Sequence, residues 1–383
     1  PLVVDPTIEE RVTRLWLWYA LSLERLQRAN DALREIERLK NALSTSHFVG
    51  AVNVWPEILF WEGEISRRAF QMVRARLAYQ RLLIHSPGSS WRPQAQLGLG
   101  LVLFHQQAYE AALTQVQGIA STWPTAPIAR DALLLEGLCD VKLRRFDEAI
   151  SRFQQLLEQT LDRTQRIQVT FYLGEALTGQ GRFEEASQAY QQVLDTESDS
   201  MWSRFARFGL GWSYFQQHRC RESLHVLSEY QISLPTAAQS QAAQNTNGST
   251  LEVLFAQGRC LMELGEDPEA LARFEALRRI TPTHPFAIEA TLSIGELLER
   301  QQRFAEAREL LEPMLQEALD PAQRHQLHLR LGSVSLAQGA AVKAAGHFFL
   351  AKASPEAAIR QAALNGLGDA ELLLGNDETA SGW

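Results

Sequence analysis

Cysteine, lysine and long apolar runs are all scarce in this 383-residue sequence. Its three cysteines are an odd number without a Cys-x-x-Cys pair, which argues against a disulfide framework and a zinc site. No apolar run approaches the roughly 20 residues that a helix needs to span a bilayer. The net charge of −8 argues against general nucleic-acid binding, although 33 of the 37 basic residues are arginines.

Sequence motifs of catalysis and cofactor binding are also missing. There is no Gly-x-x-x-x-Gly-Lys-Ser/Thr, no His-Glu-x-x-His and no Gly-x-Ser-x-Gly. Gly-x-Gly pairs begin at Gly98, Gly209 and Gly366, but each lacks the third glycine and the preceding strand of a dinucleotide site. His325 and His328 lie one helical turn apart without a third ligand, so they read as surface or interface histidines. We therefore expect no enzymatic activity, no cofactor and no metal.

An internal repeat dominates the rest of the sequence. Glycines recur at steps of 37 residues, with one step of 47 and a last step of 36, at Gly63, Gly100, Gly137, Gly174, Gly211, Gly258, Gly295, Gly332 and Gly368. A second small residue keeps the same rhythm at Ala75, Ala112, Ala149, Ala186, Ser223, Ala270, Ala307, Ala344 and Ala380. Such a period is typical of a solenoid, in which each unit buries its apolar face against its neighbours.

Each unit carries two helical patterns in succession. In the third copy, Leu134 and Leu138 share one helical face, Arg144 interrupts the pattern, and Ala149 and Phe153 resume it. Proline or glycine occurs in the breaks between units, where it ends one helix and suits the first turn of the next. The sequence therefore predicts an all-α, right-handed solenoid of about eight helical hairpins.

The unit resembles the tetratricopeptide repeat. Leu-Gly, a large residue three positions on, Gly-x-Phe-x-x-Ala and a later proline carry the resemblance over roughly residues 56–383. The usual unit has about 34 residues, so this one is longer by about one helical turn. With its Trp-Pro-Thr-Ala-Pro break at 123–127, the long form is similar to repeats in bacterial extracytoplasmic proteins such as the Tol-Pal cell-division coordinator and the outer-membrane barrel-assembly lipoprotein. The likeness implies a periplasmic or cell-envelope location, with the cytoplasm as the alternative.

The repeat divides the sequence into four segments. Residues 1–55 hold a long N-terminal helix and a connection, 56–234 hold repeats one to five, 235–250 form an insertion, and 251–383 hold repeats six to eight and a truncated ninth. The polar, low-complexity insertion predicts a flexible loop, with a longer helix as the alternative. Since the chain has no initiator Met and ends early in its last unit, we expect either a fragment of a longer protein or a disordered remainder after the last unit.

The N-terminal segment predicts a single helix of more than 30 residues over positions 7–43. Apolar residues in it alternate in steps of three and four, as in Val12, Leu15, Tyr19, Leu26 and Leu33, while Ser22 and Lys40 interrupt the seam. Two interpretations remain open. The helix either caps the first repeat or forms a coiled coil that joins a second protomer or a partner.

The predicted binding surface is the concave groove that first helices line in this kind of repeat. Its candidate partner-binding residues are Leu97, Leu101, Phe104, Leu134, Leu138, Phe171, Phe208, Trp212, Phe215 and Phe255. If accessible, they would hold an apolar peptide or an amphipathic helix; the alternative is burial between repeats. Because leucines replace the basic residues and Asn of the clamp for acidic chaperone tails, we expect no such clamp. The chain is thus expected to be a protein-interaction scaffold, or else a sensing or targeting module of a longer enzyme or membrane protein.

Overall fold

The computed structural model describes residues 6–45, 53–233, 248–317, 319–376, 380 and 382. These residues form helices joined by short turns, and no β-strand occurs among them. None of the described helices combines the length and apolar character needed to cross a membrane. The chain divides into two compact units, Pro1–Thr196 and Glu197–Trp383. The all-α prediction is confirmed.

The first unit is built from five helical hairpins in its described residues. Its helices are α1 (Pro6–Arg25), α2 (Ala29–Thr45), α3 (Trp55–Arg68), α4 (Met72–His85), α5 (Arg92–His105), α6 (Tyr109–Val116), α7 (Ile119–Thr122), α8 (Pro127–Lys142), α9 (Phe146–Leu157), α10 (Arg163–Gln180) and α11 (Phe183–Thr196). The short α7 follows Gly118, whose φ of 90° ends α6 and turns the chain toward α8.

The second unit continues the same pattern. Its described helices are α12 (Met201–Gln216), α13 (Cys220–Ser233), α14 (Gly248–Glu263), α15 (Asp267–Ile280), α16 (Pro285–Arg300), α17 (Phe304–Leu311), α18 (Pro321–Ala337), α19 (Ala341–Ala351) and α20 (Ala357–Leu373), with a 3₁₀ turn at Glu312–Gln316. These form four hairpins and one further first helix. The eight predicted hairpins are therefore all present.

A single residue in the left-handed conformation reverses the chain inside each hairpin. It is a glycine at Gly181, Gly265, Gly339 and Gly375, and another residue at Gln27, Phe70, Gln107, Arg144, His218 and Gln302. Glycine adopts this conformation without steric cost. Other residues do so at some cost, which the packed helices on both sides of the turn offset.

The predicted single helix over 7–43 is wrong, because α1 ends at Arg25 and α2 begins at Ala29. Between them Gln27 has a φ of 61°, the same conformation as the other hairpin turns. Ala20 and Ala32 are fully buried and occupy the two small-residue positions of the repeat. The N-terminal segment is therefore a further hairpin of the same kind. A coiled coil that uses one continuous helix over residues 7–43 is excluded.

The recurring glycine exists because a bulky side chain of the second helix lies against it. A Cβ atom on Gly137 would lie 2.5 Å from Cε1 of Phe153, and one on Gly174 would lie 2.7 Å from Cε1 of Tyr190. Real Cβ atoms do not approach a ring so closely, and these rings are fully buried. The glycine lets the two helices of a hairpin pack at short interaxial distance.

The insertion predicted at 235–250 lies almost entirely outside the described residues. Helix α14 already begins at Gly248, so the last three residues of the predicted insertion are helical. On either side of it, Tyr230 of α13 packs in one core cluster with Val253 and Ala256 of α14. The flexible loop stays a prediction.

Candidate functional site

An open apolar cleft lies on the first helices of the first unit. Leu97 and Leu101 on α5 face it together with Leu134 and Leu138 on α8, and all four side chains are half-buried. We call these four residues the leucine cleft. The cleft has a volume of about 660 Å³, which is within the size range of ligand sites.

The local sequence explains why these leucines face one another. In each helix the two leucines are four residues apart, which places them on one face. Pro127 starts α8 at its first turn. The neighbouring positions Leu99, Val102 and Leu135 are buried in the hairpin cores, so the remaining face of each helix is left for the cleft.

The polar edge of the leucine cleft carries Glu64, which is paired within the protein, and Asp131, whose pKa is raised by burial. Arg67 Nη2 donates to Glu64 Oε2 at 2.8 Å, and the Tyr79 hydroxyl donates to Glu64 Oε1 at 2.6 Å. Burial opposes ionisation of Glu64, but hydrogen bonds from Arg67 and Tyr79 outweigh it and lower the carboxyl pKa. Gln94 also lines the cleft, and its buried Oε1 has no hydrogen-bond partner among the described residues. One acceptor is therefore left for an incoming N–H group.

The second unit has a cleft of its own, lined by aromatic rings. Trp212 and Phe215 of α12, Phe255 of α14 and Phe286 of α16 line a cavity of about 500 Å³, and we call these residues the aromatic cleft. Phe255 stacks on Phe286 with ring centroids 5.1 Å apart, while Trp212 lies 5.3 Å from Phe215. Such spacings are typical of favourable ring pairs.

Charged side chains surround the aromatic cleft. Three carboxylates, those of Glu289, Asp320 and Glu356, line it against the single guanidinium of Arg259. Partial burial raises the pKa of Glu289, although Arg259 opposes the shift. The cleft therefore combines half-buried aromatic rings with an excess of negative charge.

The other predicted site residues belong more to the packing between helices. Phe104 contacts Tyr109 at a centroid distance of 5.3 Å, and Phe208 contacts Tyr230 at 5.6 Å. Phe171 is 8% exposed and packs on Tyr190. Phe255 is equally buried, yet its ring edge still reaches the aromatic cleft. The structure thus brings four of the ten residues together in the first unit and three in the second.

Sequence reasoning missed two aromatic residues that line the clefts. Phe60 lines the leucine cleft and stands 37 positions before Leu97, so extending the repeat register back by one unit would have found it. Phe286 lines the aromatic cleft from the first turn of α16, directly after Pro285. It lies nine positions before its marker glycine, outside the inner register, but Trp91, Ile128 and Trp202 occupy the same position in other copies, and this was the available signal.

A charged cluster occupies the corresponding face of α16 and α18. The Arg330 guanidinium bonds to Glu296 and lies 3.8 Å from Glu299 Oε2. Burial raises the pKa of Glu299 to about 7; the Arg330 charge opposes this shift and the Glu296 charge adds to it. This carboxyl is the most perturbed acid in the described part of the chain for which a pKa is resolved.

Glu299 predicts a pH-dependent stability difference. Because its folded pKa is raised, its favourable contribution is complete below its ordinary pKa of 4.5 and is lost as the pH rises through about 7. Glu299→Gln should therefore be more stable than the parent chain by about 2 to 3 kcal/mol at pH 8 and similar to it near pH 5. Urea unfolding at both pH values measures the difference, and equal stability at pH 8 would contradict it.

Two features keep that measurement specific. Burial lowers the pKa values of His328 and His347, so these residues favour the fold above their ordinary pKa and act in the opposite direction. Taking the difference between parent and variant removes their contribution. Glu309→Gln, at an exposed position of the same hairpin, is the matched control and should show no pH-dependent difference.

The structure shows no metal or reactive thiol constellation among the residues it describes. No group of three or more His, Cys, Asp or Glu side chains there could hold a metal ion. His328 Nδ1 instead lies 3.1 Å from His347 Nδ1, which is a hydrogen bond between two imidazoles. Cys139, Cys220 and Cys260 are buried free thiols, and burial raises the pKa of each.

Comparison with solved structures shows the same kind of fold. The C-terminal part of a TPR repeat-containing protein from Cytophaga hutchinsonii is 14% identical, with a TM-score of 0.51 over 72% of this chain and 98% of that one. A tetratricopeptide repeat protein from Parabacteroides merdae is 13% identical, with a TM-score of 0.44 over 82% and 98%. PilF of Pseudomonas aeruginosa is 13% identical, with a TM-score of 0.48 over 61% and 95%.

Comparison of the sequence itself identifies the family. No curated protein matches the chain. The tetratricopeptide repeat profile, however, matches residues 73–127, 134–201, 255–324 and 292–358, which together make up more than half of the sequence. The matched segments contain most of the hairpins described above, including the glycine and alanine positions where helices meet. The chain therefore belongs to the tetratricopeptide repeat family.

Proposed function

We propose that this chain is a non-catalytic adaptor that binds a leucine-rich helical segment of a partner protein in the leucine cleft. The observation that carries the proposal is that four half-buried leucines on two facing helices line an open space of about 660 Å³. Apolar side chains at such a site lose water-exposed surface when a partner covers them, which favours association.

The shape of the cleft favours a helix as the occupant. Leu97 and Leu101 form one ridge on α5, and Leu134 and Leu138 form another on α8. A groove between two such ridges accepts the apolar face of an amphipathic helix, with anchors at i, i+3 or i+4 and i+7. Because Glu64 and Arg67 already pair with each other, the bound helix of the partner needs no charged residue opposite them.

The aromatic cleft of the second unit is proposed as a separate contact with different chemistry. Ring faces of Trp212 and Phe286 lie beside Glu289 and Asp320. An arginine or lysine side chain gains from both an aromatic face and a nearby carboxylate. A partner segment in which apolar residues flank an arginine or lysine is therefore expected to fit this site.

We place the adaptor in a multiprotein assembly of the bacterial cell envelope. The support is the 37-residue form of the repeat and its Trp-Pro-Thr-Ala-Pro break, which resemble repeats of extracytoplasmic proteins. A sensing or targeting module of a longer enzyme or membrane protein is the alternative role. Fractionation of the source cells tests the location, and recovery in the cytosol alone would contradict it.

Calorimetric titration with a designed peptide tests the adaptor role. The probe is a helical peptide with leucines along one face and alanine and glutamine elsewhere. Binding is expected with a negative heat-capacity change, because apolar surface is buried, and with little dependence on salt, because no ion pair forms. A glutamine-for-leucine version of the peptide is the control. Absence of binding, or equal binding of both peptides, would contradict the proposal.

A further inference from the structure

The outer face of α1 carries a stripe of large apolar side chains. Four of them lie on one face of α1, Leu26 continues that face in the turn directly after Arg25, and Trp18 lies beside it: Ile8 is 52% exposed, Val12 55%, Leu15 59%, Trp18 57%, Tyr19 54% and Leu26 69%. The opposite face of α1 buries Leu17, Ala20 and Leu23 in the first hairpin. We call the six exposed residues the outer stripe.

The repeat register shows what kind of face the outer stripe is. Leu15 corresponds to Ile58 of α3 and to Ala95 of α5, both fully buried. Ile58 packs against the second helix of the hairpin before it, α2, and Ala95 packs in the same way against α4. The equivalent face is therefore covered by packing in the later first helices, whereas on α1 it is exposed.

The spacing of the outer stripe suits pairing between two copies of the same helix. Ile8, Val12, Leu15, Tyr19, Ser22 and Leu26 follow one another in steps of four, three, four, three and four. This is the heptad spacing that lets two helices interlock along a seam. A seam of this kind is self-complementary, so a second copy can meet it through a two-fold axis.

The area of the outer stripe is large for the surface of a monomer. Six large side chains, each more than half exposed, present on the order of 500 to 600 Å² if an aromatic side chain offers about 200 Å² and an aliphatic one about three quarters of that. This lies at the upper end of the largest apolar patch on most monomers, roughly 300 to 600 Å². It approaches the ~800 Å² per partner of a standard interface.

We propose that the chain forms a two-fold dimer in which the α1 helices of two copies pair through their outer stripes. This pairing is shorter than a coiled coil over 7–43, since Leu33 and Ile36 of α2 are buried in the hairpin core. It is also independent of the leucine cleft, which none of the outer-stripe residues lines.

The variants that test the dimer change exposed residues only. Leu15→Glu and Tyr19→Glu place a charge in the seam, and each should weaken the dimer at least tenfold. Ser22 is the one polar residue in the heptad series and is exposed, so Ser22→Leu should strengthen the dimer severalfold. Ile84→Glu is the matched control, because Ile84 is an apolar residue of α4 that is 71% exposed and lies outside the stripe.

Sedimentation equilibrium of the full chain over a hundredfold range of concentration measures the effect. The expected result is a reversible transition between 43.1 kDa and twice that mass in the parent chain and in Ile84→Glu. Leu15→Glu and Tyr19→Glu should remain monomeric with unchanged circular dichroism. A parent chain that stays at 43.1 kDa, an assembly larger than a dimer, or a dimer that survives both Glu substitutions would overturn the proposal.

Discussion

Phe153→Ala should lower the free energy of unfolding of the first unit by roughly 3 to 5 kcal/mol. The Phe153 ring is fully buried on α9, where it lies over Gly137 of α8 and stacks near Tyr172 with ring centroids 6.2 Å apart. Truncation leaves a cavity that the helices cannot close without moving. Urea unfolding followed by far-UV circular dichroism measures the loss. A change below about 1 kcal/mol would show that the hairpin interior relaxes freely.

Gly137, which lies against the Phe153 ring, allows a more specific test of the same contact. Gly137→Ala puts a Cβ atom against the same ring and should cost about 1 to 3 kcal/mol. The first hairpin shows how the molecule accommodates alanine there, because Ala20 is matched with Ile36 at the position of the ring. The double variant Gly137→Ala/Phe153→Ile should therefore lose less stability than the sum of the losses in Gly137→Ala alone and Phe153→Ile alone. Strict additivity in this double-mutant cycle would contradict the proposed contact.

Lys40→Met should destabilise the first unit by about 1.5 to 3 kcal/mol, although Lys40 interrupts an apolar seam in the sequence. The Lys40 ammonium is buried and donates to Glu62 Oε2 at 2.9 Å and to Glu37 Oε2 at 3.1 Å. Glu62 is only 4% exposed; without Lys40 its carboxylate keeps the Arg74 guanidinium, which donates to Glu62 Oε1 at 3.0 Å, but loses the donor at Oε2. The pair joins α2 to α3 and thereby holds the first hairpin on the second.

Two further variants separate this effect from ordinary loss of a charge. Lys40→Met with Glu62→Leu removes both buried charges and should recover much of the lost stability, since Arg74 keeps Glu37 at 3.1 Å. Arg303→Met removes one member of an exposed pair with Glu306 and should leave the stability nearly unchanged. Thermal and urea unfolding compare the four chains. A Lys40→Met chain as stable as the parent would disprove a structural role for the pair.

The repeat could be predicted from the sequence because its two marker positions are dictated by packing. Gly137 and Gly174 lie under rings that leave no room for a Cβ atom, and Ala149 and Ala186 are fully buried beside them. Such positions accept only small residues, so the 37-residue period remains visible in the sequence. From the period, the hairpins and their first and second helices follow directly.

The first hairpin escaped prediction for a local reason. It has Ala20 in place of the marker glycine, and its distance to the next marker is 43 residues instead of 37. Other turns without glycine, such as those at Phe70 and Gln107, were located by their marker glycines, whereas here no marker divided α1 from α2. Ala20 and Ala32 were the available signal, since they keep the marker spacing.

Accessibility of the groove residues could not be predicted from the repeat register alone. Leu134 and Phe171 occupy equivalent positions, yet Leu134 is half-buried in an open cleft while Phe171 is buried against Tyr190. The difference depends on the size of side chains contributed by neighbouring helices. Buried ion pairs are also difficult to predict from the repeat register, because they depend on residues of neighbouring hairpins. The buried partner of Lys40, for example, lies on the next hairpin.

The leucine cleft as a partner-binding surface is tested most directly by comparing two aspartate variants. Leu101 lines the cleft, whereas Val73 is an apolar residue of α4 that is 61% exposed and lies outside it. Titration with the leucine-faced peptide should give Leu101→Asp a Kd raised by about thirtyfold or more, as for a central anchor. Val73→Asp should bind like the parent chain, and melting curves confirm that both variants are folded. A folded Leu101→Asp chain that binds the peptide with the parent Kd would contradict the account.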